Sequence, residues 1–306
     1  MKAIEVNNLV KSYGNVIAVN NISFSVERGS ICAILGPNGS GKTTTIKSIC
    51  NLLIPERGEI KLEGKDNKIA TNKISALFEG TRNLYWRLTP RENLRYFAGI
   101  RGYGGNEIEK KANELLDRFN LGQKKDVIVN NLSRGMQQKV AIAMTLICDT
   151  DIVILDEPTL GLDVESIMEI KTVLMDIARE MHKTVLLSTH DMSLVQDVCD
   201  DVIVLNKGRI VAQDSLLNLM DMFKGMTYEF VLLNKLTDDK KKVLNELEYD
   251  FYFTREDSVV EVDIFDIKEI YNITDKLLKE QILIKEVKQK DINFERVYLN
   301  LINEGK

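Results

Sequence analysis

Cysteine, proline, histidine and tryptophan are all scarce in this chain: its 306 residues include four cysteines, four prolines, two histidines and one tryptophan. Cys32, Cys50, Cys148 and Cys199 lie far apart, form no C-x-x-C pair and sit in apolar neighbourhoods. Such spacing is no disulfide framework, and buried free thiols in a reducing cytosol are its simplest reading. Long apolar runs are missing too. None approaches the ~20 residues that span a bilayer, so the chain is expected not to insert into one. The stretch Met1 to Val6 has neither the apolar core nor the small-residue cleavage site of a signal peptide and alternates as a strand does, so the protein is expected to stay in the cytoplasm. Finally, cations are not in excess. A net charge of −5 and a pI near 5.4 have the wrong sign for a surface that neutralises phosphate backbones, so no nucleic-acid partner is expected.

What is present is ordinary globular material, 44% hydrophobic and 28% charged, in a chain long enough for two domains. Ile22, Phe24 and Val26 alternate with polar neighbours as a half-buried strand does, which starts the chain as a β-rich layer. From Thr89 to Leu121 the pattern turns helical: Pro90 can open a helix, and Ile108, Ala112, Leu115, Leu116 and Phe119 share one face. The apolar runs Ile152 to Leu155, Val185 to Leu187 and Val202 to Leu205 alternate with helical stretches, as buried parallel strands do, so the core reads as α/β. A composition shift between Ser215 and Gly225 marks a second domain. There the pattern predicts strands at Tyr228 to Leu233, Tyr249 to Phe253, Val259 to Ile264 and Ile282 to Val287, with one helix from Asp238 to Leu247. A second helix is capped by Asp266 with Glu269 at capping-box spacing, and its face carries Ile267, Ile270, Thr274, Leu277 and Leu278. The order is β-α-β-β-α-β, the ferredoxin-like arrangement. A last helix from Ile292 to Ile302 turns Phe294, Val297, Tyr298 and Leu301 to one side.

The most specific chemistry lies in Gly36-Pro37-Asn38-Gly39-Ser40-Gly41-Lys42-Thr43, a G-x-x-x-x-G-K-[ST] loop between an apolar strand, Ile31 to Leu35, and a helical stretch, Lys42 to Asn51. Its glycines let backbone N–H groups curl round a triphosphate, Lys42 reaches the outer phosphates, and the Thr43 hydroxyl can bind Mg²⁺. The strand Ile152 to Leu155 ends in Asp156 and Glu157, at the carboxyl edge where open α/β sheets bind ligands. Asp156 would hold Mg²⁺, directly or through water, and Glu157 would polarise an attacking water as general base. Ser133 would cap the helix carrying Val140, Met144 and Ile147. That capped end is either an ordinary N-cap or an anion site.

In the order of these motifs the chain resembles the ATP-binding subunit of an ABC transporter over residues 1–215. Gly36 to Thr43 looks like Walker A, Leu132 to Met136 like the signature LSGGQ, and Ile152 to Glu157 like Walker B. Leu160 to Asp163 resembles the D-loop, and Ser188-Thr189-His190-Asp191 the switch histidine segment. The resemblance implies a P-loop ABC ATPase core with an N-terminal antiparallel β layer, a helical subdomain at about 89–148, a linker at 216–226 and a C-terminal accessory α+β domain at 227–306. It adds Thr44 to the ATP-binding set, makes Tyr13 the aromatic under adenine rather than a packing residue, and gives His190 the task of sensing the γ-phosphate. Two positions depart from the family pattern. Arg134 and Met136 replace Gly and Gln of the signature while Ser133 and Gly135 remain, and Arg134 either adds a cation near phosphate or faces solvent. Glu79 stands where a glutamine contacts Mg²⁺, and a carboxylate reaches Mg²⁺ through water but donates no hydrogen bond.

By the same resemblance, ATP is sandwiched between Walker A of one chain and the signature residues Ser133, Arg134, Gly135 and Met136 of another, with Asp163 between. The second chain is an identical copy or a paralogue. A separate transmembrane permease is implied as partner, with this chain peripheral on the inner face of the membrane and Trp86, between Arg82 and Leu88, near the docking groove, against simple core packing as the alternative. The subgroup it resembles is the ABC-2 type exporters, whose accessory domain ends much as Phe294 to Leu301 does. A soluble, ribosome-associated ABC ATPase would usually carry two phosphate loops, and this chain has one. A regulatory protein whose C-terminal domain binds a small ligand is the third reading.

Overall fold

A computed structural model of the chain describes residues 1–79, 84–222, 226–245, 249, 251–264, 268–289 and 294–304. Arg82, Gly225, Leu247, Asp266, Ile267 and Ile292, named above, lie outside these. The first elements are β1 (Lys2–Tyr13), β2 (Val16–Glu27), β3 (Ile31–Leu35), α1 (Lys42–Ile49), β4 (Arg57–Leu62), β5 (Lys65–Asp66) and β6 (Ile74–Leu77). β1 pairs antiparallel with β2 and with β4, giving a four-stranded layer in the order β2-β1-β4-β5. Its alternating residues Ile4, Val6, Ile22 and Val26 join Ile46 and Ile49 of α1 and Ile34 of β3 in one buried core. The phosphate-loop helix is thus sandwiched between two sheets.

The helical part follows as α2 (Pro90–Ile100), α3 (Asn106–Arg118) and α4 (Arg134–Leu146). α2 starts at a complete capping box: Thr89 Oγ1 accepts from Glu92 N, Glu92 Oε2 accepts from Thr89 N, and Pro90 takes a first-turn position. Ile108, Ala112, Leu115 and Leu116 of α3 are buried, as their helical spacing predicts. Next come β7 (Ile152–Asp156), α5 (Val164–Arg179), β8 (Thr184–Thr189), α6 (Met192–Val198), β9 (Asp201–Asn206), β10 (Arg209–Ser215) and α7 (Leu216–Met222). The central sheet has the order β10-β9-β3-β8-β7-β6, parallel except for β10. β3, β7 and β8 are buried at every position, which explains their unbroken apolar runs.

The remaining elements are β11 (Met226–Leu232), α8 (Asp238–Asn245), β12 (Phe251–Thr254), β13 (Val259–Ile264), α9 (Glu269–Lys279), β14 (Ile284–Gln289) and α10 (Phe294–Glu304). Their antiparallel sheet runs β12-β13-β11-β14, which is the ferredoxin-like strand order. Phe230, Val260 and Val262 pack there with Ile273 and Leu277 of α9. Two expectations need correction. The inward face of α9 is centred on Ile273 and Leu277, while Leu278 is 55% exposed. The helix begins after Lys268, which makes no side-chain cap bond, and the expected cap Asp266 lies outside the described residues. Its end is closed by Gln281 at positive φ, with Gln281 N and Ile282 N donating to the carbonyls of Leu278 and Leu277; this turn delays β14 to Ile284. The chain divides into two compact units, one of Met1–Leu216 with Leu301–Lys306 and one of Leu217–Asn300, and the expected linker at 216–226 is largely the helix α7.

The carboxyl end of α1 is held by a buried amide: Asn67 Nδ2 donates to the carbonyls of Ser48 (2.9 Å) and Ile49 (3.1 Å). Asn67→Ala is expected to lower stability by about 1–3 kcal/mol. Asn67→Asp should cost at least as much, because a carboxylate offers those carbonyls no N–H. Urea unfolding of both variants checks the order.

Candidate functional site

The phosphate loop leaves β3 at its carboxyl edge and re-enters the fold as α1. Pro37, Asn38 and Gly39 are exposed, whereas Gly36 and Ser40 are buried. Gly41 needs its missing side chain twice over: its φ is 105°, and a Cβ would stand 2.5 Å from the Ala18 carbonyl of β2. That close approach ties the loop to the β1–β2 hairpin, where Tyr13 lies at the end of β1, half exposed, with Lys11 Nζ 5.8 Å above its ring. Lys42 is buried and donates from Nζ to the carbonyls of Gly36 (2.7 Å) and Pro37 (3.4 Å), so its ammonium folds back over the loop. Ser40 Oγ is buried there without a hydrogen-bond partner. Thr43 Oγ1 donates to Asp156 Oδ2 at 3.2 Å, and Thr44 accepts at its carbonyl from Ser48 Oγ at 2.9 Å.

β7 delivers the acid pair. Asp156 ends the strand, 3% exposed, and Glu157 follows at φ 52°, in the left-handed region that costs a non-glycine residue about 1–2 kcal/mol. This reversal turns the Glu157 carboxylate toward β8, where Oε2 meets His190 Nδ1 at 2.9 Å. Glu157 has 9% of its side chain exposed and His190 60%, so a nearly dry carboxylate is reached by a ring open to solvent. The nearby Cys50 thiol is pushed up to about 12 by burial, with the negative charge of Asp156 adding to it, so it stays a neutral packing group. Cys32 and Cys199 are buried and likewise raised by burial, whereas Cys50 and Cys148 are only half-buried, which corrects the expectation of four buried thiols.

The signature segment caps a helix. Ser133 Oγ accepts from Met136 N at 3.2 Å and Gln137 Nε2 braces the turn by donating to the carbonyls of Val129 and Leu132. Ser133 and Arg134 are exposed and Met136 half-buried, so of the four signature residues only Gly135 is interior. Asp163 caps α5 in the same way, Oδ1 accepting from Ser166 N at 2.8 Å, and this backbone bond holds its carboxyl below the usual range. A cavity of about 520 Å³ brings together Glu79, Trp86, Arg134, Gln138, Asp156 and Glu157. Arg134 and Glu79, separate departures in the sequence, therefore line one space beside the acid pair. Trp86 faces that cavity, and the exposed aromatic surface nearby consists instead of Tyr85 and Tyr96, with ring centroids 4.5 Å apart. Sequence reasoning missed Gln138 and Ser188. Ser188 donates to Asp156 Oδ1 and accepts from Glu157 N, a role that only the pairing of β7 with β8 reveals.

Gly135 has a packing duty of its own, since a Cβ there would overlap Ser166 Oγ and Cβ on α5. Gly135→Ala should lose about 1–3 kcal/mol to overpacking, which outweighs a propensity gain of at most about 1 kcal/mol. Ser166→Gly should then cost less in the Gly135→Ala background than in the wild-type chain, as a double-mutant cycle by chemical denaturation would show.

The family model described as ABC transporter matches residues 19–160. The ABC transporter ATP-binding protein NatA of Bacillus subtilis is 37% identical over 225 residues, 72% of this chain and 91% of that protein. The bacitracin transport ATP-binding protein BcrA of Enterococcus faecalis is 30% identical over 306 residues, 99% of this chain and 97% of its own. Among solved structures, cbiO1 from Clostridium perfringens, part of the ABC transporter complex cbiONQ, aligns with a TM-score of 0.66 at 26% identity, covering 80% of this chain and 99% of that one. The dimeric bacterial ABC transporter cassette MJ0796 aligns with a TM-score of 0.62 at 30% identity, over 70% of this chain and 98% of that one. With its P-loop core, its β layer and its helical segment in this order, the chain belongs to the ATP-binding subunits of ABC transporters.

Proposed function

We propose that this subunit binds MgATP between two chains and couples its hydrolysis to export through a separate transmembrane permease. The observation that carries the catalytic part is the adjacency of two pairs at one sheet edge: Thr43 with Asp156, and Glu157 with His190. Thr43 Oγ1 and Asp156 Oδ2 are hard oxygen donors that fit Mg²⁺, and among the described residues no group of three or more His, Cys, Asp or Glu could hold a metal by itself. That scarcity suits an ion whose remaining ligands are phosphates and water, with Glu79 within the same cavity as a further carboxylate. Bound there, Mg²⁺ would neutralise charge on the outer phosphates.

The chain's own groups do the rest. Lys42 Nζ, freed from the Gly36 and Pro37 carbonyls, donates to the outer phosphates, and the loop from Gly36 to Thr44 supplies backbone N–H groups. Tyr13 offers a half-exposed ring for adenine to stack on. Glu157 orients the attacking water and accepts its proton. When His190 Nδ1–H donates to Glu157, Nε2 is left as an acceptor in the neutral ring and a donor in the charged one, directed at water or the γ-phosphate respectively. Ser133, Arg134, Gly135 and Met136 face the nucleotide of the second chain, with Asp163 at the junction. One chain then holds only half of each site, in keeping with the dimeric cassette MJ0796.

Support for export comes from the SkfA peptide export ATP-binding protein SkfE, 36% identical over 214 residues, while the bacitracin transport protein BcrA, whose match spans 99% of this chain, supports transport. Methionine import proteins match as well, at 29% identity over 321 residues in one case, so direction and cargo belong to the permease. Among the described residues no helix is long and apolar enough to cross a membrane, in keeping with spans carried by another polypeptide and this chain docked on its cytoplasmic face. The ferredoxin-like unit serves as the accessory domain.

Glu157→Gln should retain ATP binding and lose about 10²-fold or more in kcat, measured by phosphate release. Co-expression with a candidate membrane subunit should yield a complex whose ATPase responds to cargo on the cytoplasmic side. Turnover unchanged in Glu157→Gln would remove Glu157 as the base, and a complex that moves cargo only inward would overturn export.

A further inference from the structure

We propose that Ser188 is a positioning residue for the hydrolytic site, assigning the two oxygens of Asp156 to different partners and holding Glu157 in its reversed conformation. The inference rests on the reading of Asp156 as the residue that holds Mg²⁺. Ser188 is fully buried in β8, directly opposite Asp156 in the parallel register. Its hydroxyl lies 3.1 Å from Glu157 N and in hydrogen-bond contact with Asp156 Oδ1. The proton order is forced. A backbone N–H can only donate, so Ser188 Oγ accepts from Glu157 and its own proton points to Asp156. Asp156 Oδ1 is thereby occupied, and Oδ2 is the oxygen left facing Thr43 Oγ1 at 3.2 Å.

One hydroxyl therefore does two things. It fixes the rotation of a carboxylate that is only 3% exposed, so that one chosen oxygen faces the phosphate loop. It also gives Glu157 N a second acceptor besides the Ser188 carbonyl, also at 3.1 Å, and so stabilises the left-handed φ of 52° that aims Glu157 at His190. Without the hydroxyl, a nearly buried carboxylate oxygen loses its donor and Asp156 is free to rotate away from Thr43. Partners that orient a metal-binding carboxylate typically contribute 10–100-fold to metal affinity or activity. The strand pairing and the phosphate loop make no contact with this hydroxyl and do not depend on it.

The test measures ATP affinity of the full chain by calorimetry, once in EDTA and once with Mg²⁺, beside kcat for phosphate release, in Ser188→Ala, Ser188→Thr and Asp156→Asn. Ser188→Ala is expected to bind ATP in EDTA as the wild-type chain does, but to lose about tenfold of the Mg²⁺-dependent gain in affinity and about tenfold in kcat. Ser188→Thr, which keeps the hydroxyl, should restore both. A Mg²⁺ gain within about twofold of wild type in Ser188→Ala, or equal losses in Ser188→Ala and Ser188→Thr, overturns the role of Ser188 while Asp156→Asn still abolishes the gain. If Asp156→Asn keeps the full gain, the reading of Asp156 itself falls, and the role of Ser188 with it.

Discussion

Parallel pairing of β3, β8 and β7 is the constraint on which the site depends. In a parallel sheet all strands end on the same edge, so whatever follows each strand is delivered to one place without further interactions. The register sets Leu35 beside Thr189 and Asp156 beside Ser188, which places the phosphate loop, the switch segment and the acid pair within adjoining strand ends. The register in turn is set by burial. All three strands are buried at every position, and a shift by one residue would exchange the side chains on both faces of a closely packed layer. Apolar packing far larger in energy than any bond within the site thus holds the catalytic geometry.

Local strain then refines what the sheet makes approximate. Leaving the strand edge, the chain reverses at Gly41 on one side and at Glu157 on the other. The first is a glycine because β2 backs directly onto it. The second is not, and its left-handed backbone is offset by the bonds of Glu157 N to Ser188 and by the carboxylate contact with His190. A strained conformation at this position is inexpensive to keep only because β8 supplies the compensating acceptors.

This division explains what was legible in the sequence. The phosphate loop, the helix start at Pro90, the apolar strands and the order of elements in the second unit are local or periodic signals, and their physics acts within a few residues. The sequence pattern sets the phase of α9 one position off because Leu277 and Leu278 are both apolar, and only the sheet beneath decides that Ile273 and Leu277 face it. The joining of Arg134, Trp86 and Glu79 around one cavity, the overlap that keeps Gly135 a glycine and the two hydrogen bonds of the Ser188 hydroxyl arise between residues far apart in the chain. No window of sequence contains them. The motif resemblance supplied which residues belong together, but not the hydrogen bonds by which they are held.

The helices behind the site follow the same logic of compensation. Lys139 of α4, almost fully buried, reaches Glu169 of α5 at 3.1 Å. Lys171 of α5 donates to Ser193 and Asp197 of α6 at 2.9 and 2.5 Å. Each acceptor carboxylate is about half exposed, so solvent screens the attraction and little net stability comes from it. Separating either pair is another matter, because it leaves a dry ammonium without a counter-charge. Sliding α4, α5 and α6 past one another is therefore costly, while moving them together is not. These helices begin at the signature segment, the segment capped by Asp163 and the segment that follows His190, so the two buried lysines tie together the helices that carry those segments.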